Sequence, residues 1–339
     1  MKSLYIGVIL VLTFHYQNAQ AQTRDEIENL LSKHFPDQIW NGVIGMVDST
    51  QSVVFTFGKT TSGAPVTQHS SFYVASLTKS FIGLHILEMI EKGDISSSDT
   101  IGKWFPEFSE DIRKTTIAQL ANHTAAIHDY YSLSSVSQVY DNEHVIDLIA
   151  KLDTTAYEPG HHWGYSNSHY VLLAEIMAKE LSVTSAEYLS EYIIKRYKMF
   201  DVFGTFEDIQ FMLGKDEHGR RLPHTSQTIG DAGLVVSAND LLVFGERLSQ
   251  DKALTNLIKS AKEIGQTYER DTNWTYSYGW FHSQDNYGRF AAHSGKGDGF
   301  QSYHQFRYDD SKYFLIITNR YANEIQPFRI DIVKLLFGD

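Results

Sequence analysis

The chain has 339 residues, with 41 Asp and Glu against 29 Lys and Arg, a formal charge of −12 and a pI near 5.6. That balance excludes the broad basic face that nucleic-acid binding needs. An apolar share of 42% with few prolines excludes general disorder, and the absence of cysteine excludes disulfides, thiolate metal ligands and a cysteine nucleophile.

Residues 1–21 read as an export signal. Lys2 supplies a positive start, Leu4 to Phe14 a short apolar stretch, and Ala19-Gln20-Ala21 a small-residue cleavage site. Eleven apolar residues are too few to span a bilayer, and no later segment reaches that length, so no membrane span is expected. The expected location is the periplasm or the exterior.

Val43 to Asp48 and Ser52 to Gly58 form two β-rich runs around the turn Ser49-Thr50-Gln51, which predicts an antiparallel hairpin. Phe72 to Ala75 leads into a run where Phe81, Ile82, Leu84, Ile86, Leu87, Met89 and Ile90 are apolar nearly all round. That pattern predicts a central buried helix, capped by Gly93. Ser96 to Thr225 is mainly helical, with helices at Glu143 to Lys151, Ser168 to Leu181 and Ala186 to Tyr197. Ser237-Ala238-Asn239-Asp240 signals a helix start before Leu241 to Leu248. Strands follow at Tyr276 to His282, Arg289 to His293, Phe300 to Tyr308 and Tyr313 to Thr318, with a turn at Asp309-Asp310-Ser311. Ile325 to Phe337 closes as an amphipathic helix. The expected fold is α+β: an antiparallel sheet subdomain from residues 22–95 and 226–339, covered by the terminal helices, with a mainly helical subdomain, 96–225, inserted between its halves. A cleft between two such parts is a common small-molecule site.

Ser76-Leu77-Thr78-Lys79 opens the apolar run. Residues three apart face the same side of a helix, so Lys79 can help take the proton of Ser76 and make it a nucleophile. Ser249-Gln250-Asp251-Lys252 fits the same pattern in what reads as a polar surface loop, so the surroundings decide. Two further motifs carry chemistry: Tyr165-Ser166-Asn167, between the Glu158-Pro159-Gly160 turn and a helix that Ser168 can cap, and His293-Ser294-Gly295, ending a strand before Gly295-Lys296-Gly297-Asp298-Gly299. Tyr140-Asp141-Asn142 also fits the tyrosine motif without that context. Each residue has a plainer reading: Ser76 as a helix cap, Lys79 as a solvated lysine, Tyr165 as a core aromatic, His293 as a satisfied strand histidine. The 15 histidines include His123 and His128 five apart and the pair His161–His162, but no H-E-x-x-H spacing occurs, and no metal or cofactor is expected.

In order, spacing and context the three motifs resemble those of the serine β-lactamase and penicillin-binding-protein superfamily, in its class C-related branch. Phe72-Tyr73-Val74-Ala75, Gln119-Leu120-Ala121-Asn122-His123-Thr124 and Ala232-Gly233-Leu234-Val235-Val236-Ser237 resemble its flanking segments. The likeness runs over residues 40 to 320. It implies a β-lactamase/transpeptidase-like fold and an acyl-enzyme on Ser76, with Lys79 and Tyr165 sharing the base role. It also implies substrate binding by Asn167, His293, Ser294, Gly295 and Lys296. The backbone N–H groups of Ser76 and Lys296 would form the oxyanion hole. Two departures matter. His293 stands where the branch's β-lactamases carry lysine, and Ala125-Ala126-Ile127 stands where Ser-Gly-Ile is usual. The leading expectation is an exported serine hydrolase acting on an amide or ester, first a D-alanyl-D-alanine carboxypeptidase or related peptidase, then a carboxylesterase, then a β-lactamase. The substrate would be a small molecule or peptide, D-Ala-terminated peptides included. The rival is a catalytically silent protein that captures a peptide or penicillin-like ligand.

Overall fold

A computed structural model describes residues 21–36, 40–48, 50–133, 140–199, 214–215, 220–222, 227–267, 273–320 and 325–338. Residues 1–20, which hold most of the expected export signal, lie outside this set. The chain divides into two units, one of the described parts of residues 1–40 and 322–339, the other Asn41–Tyr321.

In the terminal unit, residues 21–34 are helical. Lys33 Nζ and His34 Nε2 both bond Asp331 Oδ2, at 2.7 and 2.8 Å, and Phe35 packs edge-on against Phe328. Asp331 and Phe328 belong to the helix Ile325–Phe337, found at the bounds its amphipathic pattern predicts.

The larger unit carries one antiparallel sheet. Its strands are β1 (Gly42–Val47), β2 (Ser52–Phe57), β5 (Gln266–Thr267), β6 (Thr275–Ser277), β7 (Trp280–Asp285), β8 (Gly288–Gly297), β9 (Phe300–Arg307) and β10 (Tyr313–Thr318), in the order β2-β1-β10-β9-β8-β7-β6-β5. β3 (Ser71–Tyr73) and β4 (Val235–Ser237) form a separate pair, with Phe72 opposite Val236. The expected first hairpin is present, with Val47 opposite Ser52. The expected strand Tyr276 to His282 is two strands, because Tyr278 and Gly279 take φ of 45° and 81° and turn the chain back. β8 runs four residues past His293, so the third motif lies within a strand. Its turn comes only at Asp298-Gly299, φ 48° and 85°, the left-handed pair that suits a two-residue hairpin loop.

The helix Thr78–Lys92 is buried on every side, as its all-round apolar pattern predicts. Its buried polar groups are paired: Arg196 donates to both carboxylate oxygens of Glu88, at 2.7 and 2.8 Å, and His85 Nδ1 lies 3.1 Å from Tyr188 Oη. Gly93 closes the helix at φ 79°. Gly83 is a close-approach site, since a Cβ there would fall 1.9 Å from the Tyr278 carbonyl oxygen. That contact lets the β6–β7 turn press on the helix, where Ser80 Oγ bonds the Gly279 carbonyl at 2.8 Å.

Other helices follow the pattern with shifted ends: Asn142–Ala150, Asn167–Glu180 and Ala238–Gln250. The last starts on a capping box between Ser237 and Asp240. The segment expected as one helix from Ala186 begins as a short turn, Ser185–Glu187, and widens into a π-helix over Tyr188–Ile194. A helix that the sequence reading did not foresee, Lys252–Glu263, is capped by Asp251. The second Ser-x-x-Lys therefore sits at a helix junction rather than in a surface loop: Ser249 Oγ bonds the carbonyls of Gly245 and Ser311. The decoy Tyr140-Asp141-Asn142 is also a cap, with Asp141 Oδ1 accepting the His144 N–H at 2.9 Å.

Ala126 is buried at φ 57°, the left-handed region that favours the glycine usual at this place. Ala126→Gly is expected to stabilise the protein by about 1 kcal/mol, read as a rise in the urea midpoint.

Candidate active site

β3 pairs with β4, and the chain then turns sharply: Ala75 takes φ 49°, and Ala75–Leu77 is one 3₁₀ turn ahead of the long helix. This non-glycine residue in the left-handed region is the kind of local strain that collects at functional sites. It sets Ser76 half-buried at a small cleft lined by Tyr73, Ala75, Tyr131, Asn167, Asp231, Ala232 and Lys296 to Asp298.

Lys79 lies one turn on and is fully buried. Its Nζ donates to Ser76 Oγ at 3.1 Å, Asn167 Oδ1 at 2.8 Å and the Asp231 carbonyl at 2.8 Å. An ammonium has three N–H donors, and here each has an acceptor. A buried charge with nothing to bond would be very costly, so these contacts are what permit the position.

Asn167 is the first residue of its helix, and Ser166 makes no side-chain cap. The acceptor comes from outside: Asp129 Oδ2 takes the Asn167 backbone N–H at 2.8 Å and Nδ2 at 2.9 Å. Ser168, expected as the cap, instead pins the preceding loop, accepting from the Tyr130 N–H and donating to the His128 carbonyl.

Tyr165 is held by packing. Its ring centroid is 4.3 Å from that of His123, and Lys79 Nζ stands 4.9 Å from the ring centre. Among the described residues, no hydrogen bond joins Tyr165 to Ser76. Beneath lies a layer of rings: His123 is 4.6 Å from Tyr276 and has its Nδ1 3.1 Å from His169 Nδ1. Burial first, then the neighbouring His169, Lys79 and His293, hold His123 well below its ordinary pKa.

The third motif splits by strand alternation. Ser294 and Lys296 are exposed, and Lys296 lines the cleft. His293 and Gly295 are buried. A Cβ on Gly295 would fall 1.9 Å from the Val74 carbonyl oxygen, so the glycine lets β8 close on the segment leading to Ser76. His293 is only 2% exposed, with Nδ1 2.7 Å from the Ser294 carbonyl and Nε2 3.3 Å from Tyr276 Oη. Burial, then the Lys79 charge, lowers it to about 3. His293 therefore lies under the cleft, tied to the ring layer, while Lys296 of the same motif lines it.

The sequence reading missed Asp129, which had no signal beyond its place just after a family-like segment. It also missed Asp231, immediately before Ala232-Gly233. Asp231 is 2% exposed. Its Oδ2 accepts from Tyr130 Oη at 3.0 Å, and its pKa is raised by burial against the opposing pull of Lys79.

A protein-family profile described as "Beta-lactamase" matches residues 33–335. A penicillin-binding protein of Bacillus subtilis (strain 168) is 24% identical over 95% of this chain and 77% of its own length. A D-aminopeptidase of Brucella anthropi is 23% identical over 75% of this chain, which spans only 51% of that enzyme. The octameric penicillin-binding protein homologue from Pyrococcus abyssi superposes with a TM-score of 0.79 at 19% identity, over 93% of this chain and 77% of the other. At that identity the likeness shows the fold alone.

Burial holds His293, His169 and His282 at about 3 and His85 at about 4, below the ordinary 6.5. Between those values and 6.5 the unfolded chain binds more protons than the folded one, so stability is complete above pH 6.5 and lost as the pH falls. The expected loss is on the order of 1 kcal/mol per histidine per pH unit, read from urea midpoints at pH 7, 6 and 5. His293→Gln is expected to flatten that slope.

Proposed function

The chain belongs to the beta-lactamase family of serine hydrolases, and from that premise we propose that it cleaves peptides ending in D-alanine through an acyl-enzyme on Ser76. The observation that carries the proposal is the 3.1 Å contact between Lys79 Nζ and Ser76 Oγ, made by a lysine that is fully buried and otherwise bonded to Asn167 and Asp231.

Lys79 and Tyr165 share the role of base. Lys79 Nζ stands 4.9 Å from the Tyr165 ring centre, close enough for the two groups to act together on the serine proton. Ser76 Oγ attacks the substrate carbonyl, its proton passes to that pair, and Tyr165 returns a proton to the departing amine. The backbone N–H groups of Ser76 and Lys296 take the developing oxyanion. Asn167, with its oxygen on Lys79, offers the second hydrogen of Nδ2 to the substrate amide. Ser294 and Lys296 share the outer face of β8, and Lys296 supplies the positive charge for a terminal carboxylate. Water then releases the acyl group.

Carboxylesterase action is the second reading, favoured by the neutral, buried His293 where a fixed charge would otherwise mark an anionic substrate. For the same reason we rank β-lactam hydrolysis third. A silent binding protein would not need Lys79 bonded to both Ser76 and Asn167. The motif at Lys2 to Ala21 supports export, and among the described residues no helix is long and apolar enough to cross a membrane.

A fluorescent penicillin or fluorophosphonate is expected to leave covalent mass on Ser76 and none on Ser76→Ala. Tyr165→Phe is expected to lower kcat by about 10²- to 10⁴-fold. No adduct, together with no hydrolysis of D-alanyl peptides or short p-nitrophenyl esters, sinks the enzyme reading. Lys296→Ala is expected to raise KM for a D-Ala-terminated peptide by roughly 10-fold while leaving that of a neutral ester alone. Equal effects on both favour the esterase.

A further inference from the structure

We propose that Asp129 is a positioning residue that fixes the Asn167 amide so that its oxygen, not its nitrogen, faces Lys79. This rests on the reading of Ser76 and Lys79 as the acylating pair. The terminal atoms of an asparagine side chain differ little in shape, so the hydrogen-bond partners decide which way it turns. Here both partners are one-sided. Lys79 Nζ, 2.8 Å from Oδ1, only donates, and Asp129 Oδ2, 2.9 Å from Nδ2, accepts. Turning the amide over would set donor on donor at Lys79 and acceptor on acceptor at Asp129. Without Asp129, only the lysine would oppose the wrong orientation.

Asp129 is itself held. The oxygen that takes Asn167 Nδ2 also takes the Asn167 backbone N–H at 2.8 Å, and its other oxygen takes the Tyr131 N–H at 3.0 Å. All three contacts come from donors, so both oxygens of the group serve as acceptors. Its own carbonyl accepts from Ser132 Oγ at 2.6 Å, and Ser168 clasps the loop on either side through the His128 carbonyl and the Tyr130 N–H. The start of the Asn167 helix and the loop before Tyr131 thus lock each other, and the product is an oxygen aimed at the lysine beside Ser76. The other titratable groups around Lys79 are Tyr165, Tyr170, Asp231, His123, His169 and His293.

The test compares wild type, Asp129→Ala and Asp129→Ala/Asn167→Asp on a p-nitrophenyl ester across pH 5 to 10, after circular dichroism shows that each is folded. Asp129→Asn, which keeps the size and one acceptor oxygen, replaces the alanine variant if that does not fold. Asp129→Ala is expected to lower kcat roughly 10-fold or more, the loss of one charge-assisted hydrogen bond. A limb of the pH profile is expected to move to lower pH, because positive charge in the site that faces an amide N–H loses stabilisation. Aspartate at 167 presents an oxygen whichever way it turns, so the double variant is expected to regain several-fold of the lost kcat and to move the limb back up. A residue that merely caps the helix would give neither the shift nor the rescue, and the absence of either overturns the inference. Wild type that takes no fluorophosphonate on Ser76 is a failure of the functional reading. Wild type that is labelled, with Asp129→Ala unchanged, is a failure of this inference alone.

Discussion

The buried ammonium of Lys79 is the constraint on which the rest of the site depends. A lysine is among the residues least often taken out of water, because its charge must find partners in an interior that supplies few. Here three segments far apart in sequence each bring one acceptor: Ser76 on the preceding turn, Asn167 at the head of another helix, and the Asp231 carbonyl ahead of β4. Around that atom the packing follows. The helix carrying Lys79 is apolar on all sides, so it has no wet face toward which the amine could swing. Gly83 lets the β6–β7 turn close over it, and Gly295 lets β8 close on the strand before Ser76.

Below the ammonium lies a layer of neutral rings. His123, His169 and His293 are buried deeply enough to lose their protons at ordinary pH, and Tyr276 is held well above its usual pKa by burial and the neighbouring Tyr170 and Tyr165. Such a layer adds no competing charge beneath the cleft and leaves the site's electrostatics to Lys79, Tyr165 and the rim. It also ties acid stability to the same histidines, because a layer that excludes protons loses stability where protons are abundant.

The legibility of the elements follows from how local their causes are. The central helix, its Gly93 cap, the first hairpin, β10 and the final helix could be read because periodicity, glycine and turn residues act within a few positions. The misreadings share a different cause. The bend at Tyr278-Gly279 inside an apolar run is imposed by the helix it packs on, and a sequence window cannot see the partner. Ser168 has the right type and place for a cap, yet it is drawn to the loop at His128 while Asp129 caps from across the chain. Asp251, passed over as part of a surface loop, caps a helix whose apolar face only the fold makes necessary.

By itself the sequence determined the pairing of Ser76 with Lys79, the order of the three motifs, and an α+β chain with strands toward both ends. These depend on residue type at short, fixed spacing. Only the tertiary structure decided that His293 turns inward while Ser294 and Lys296 face out, that Tyr165 is held by rings and a cation, that the Asp231 carbonyl meets Lys79, and that Asp129 meets Asn167. Strand alternation sorts neighbours onto opposite faces, but which face is wet depends on what packs there. A carboxylate becomes a positioning group only when folding delivers a donor to each of its oxygens.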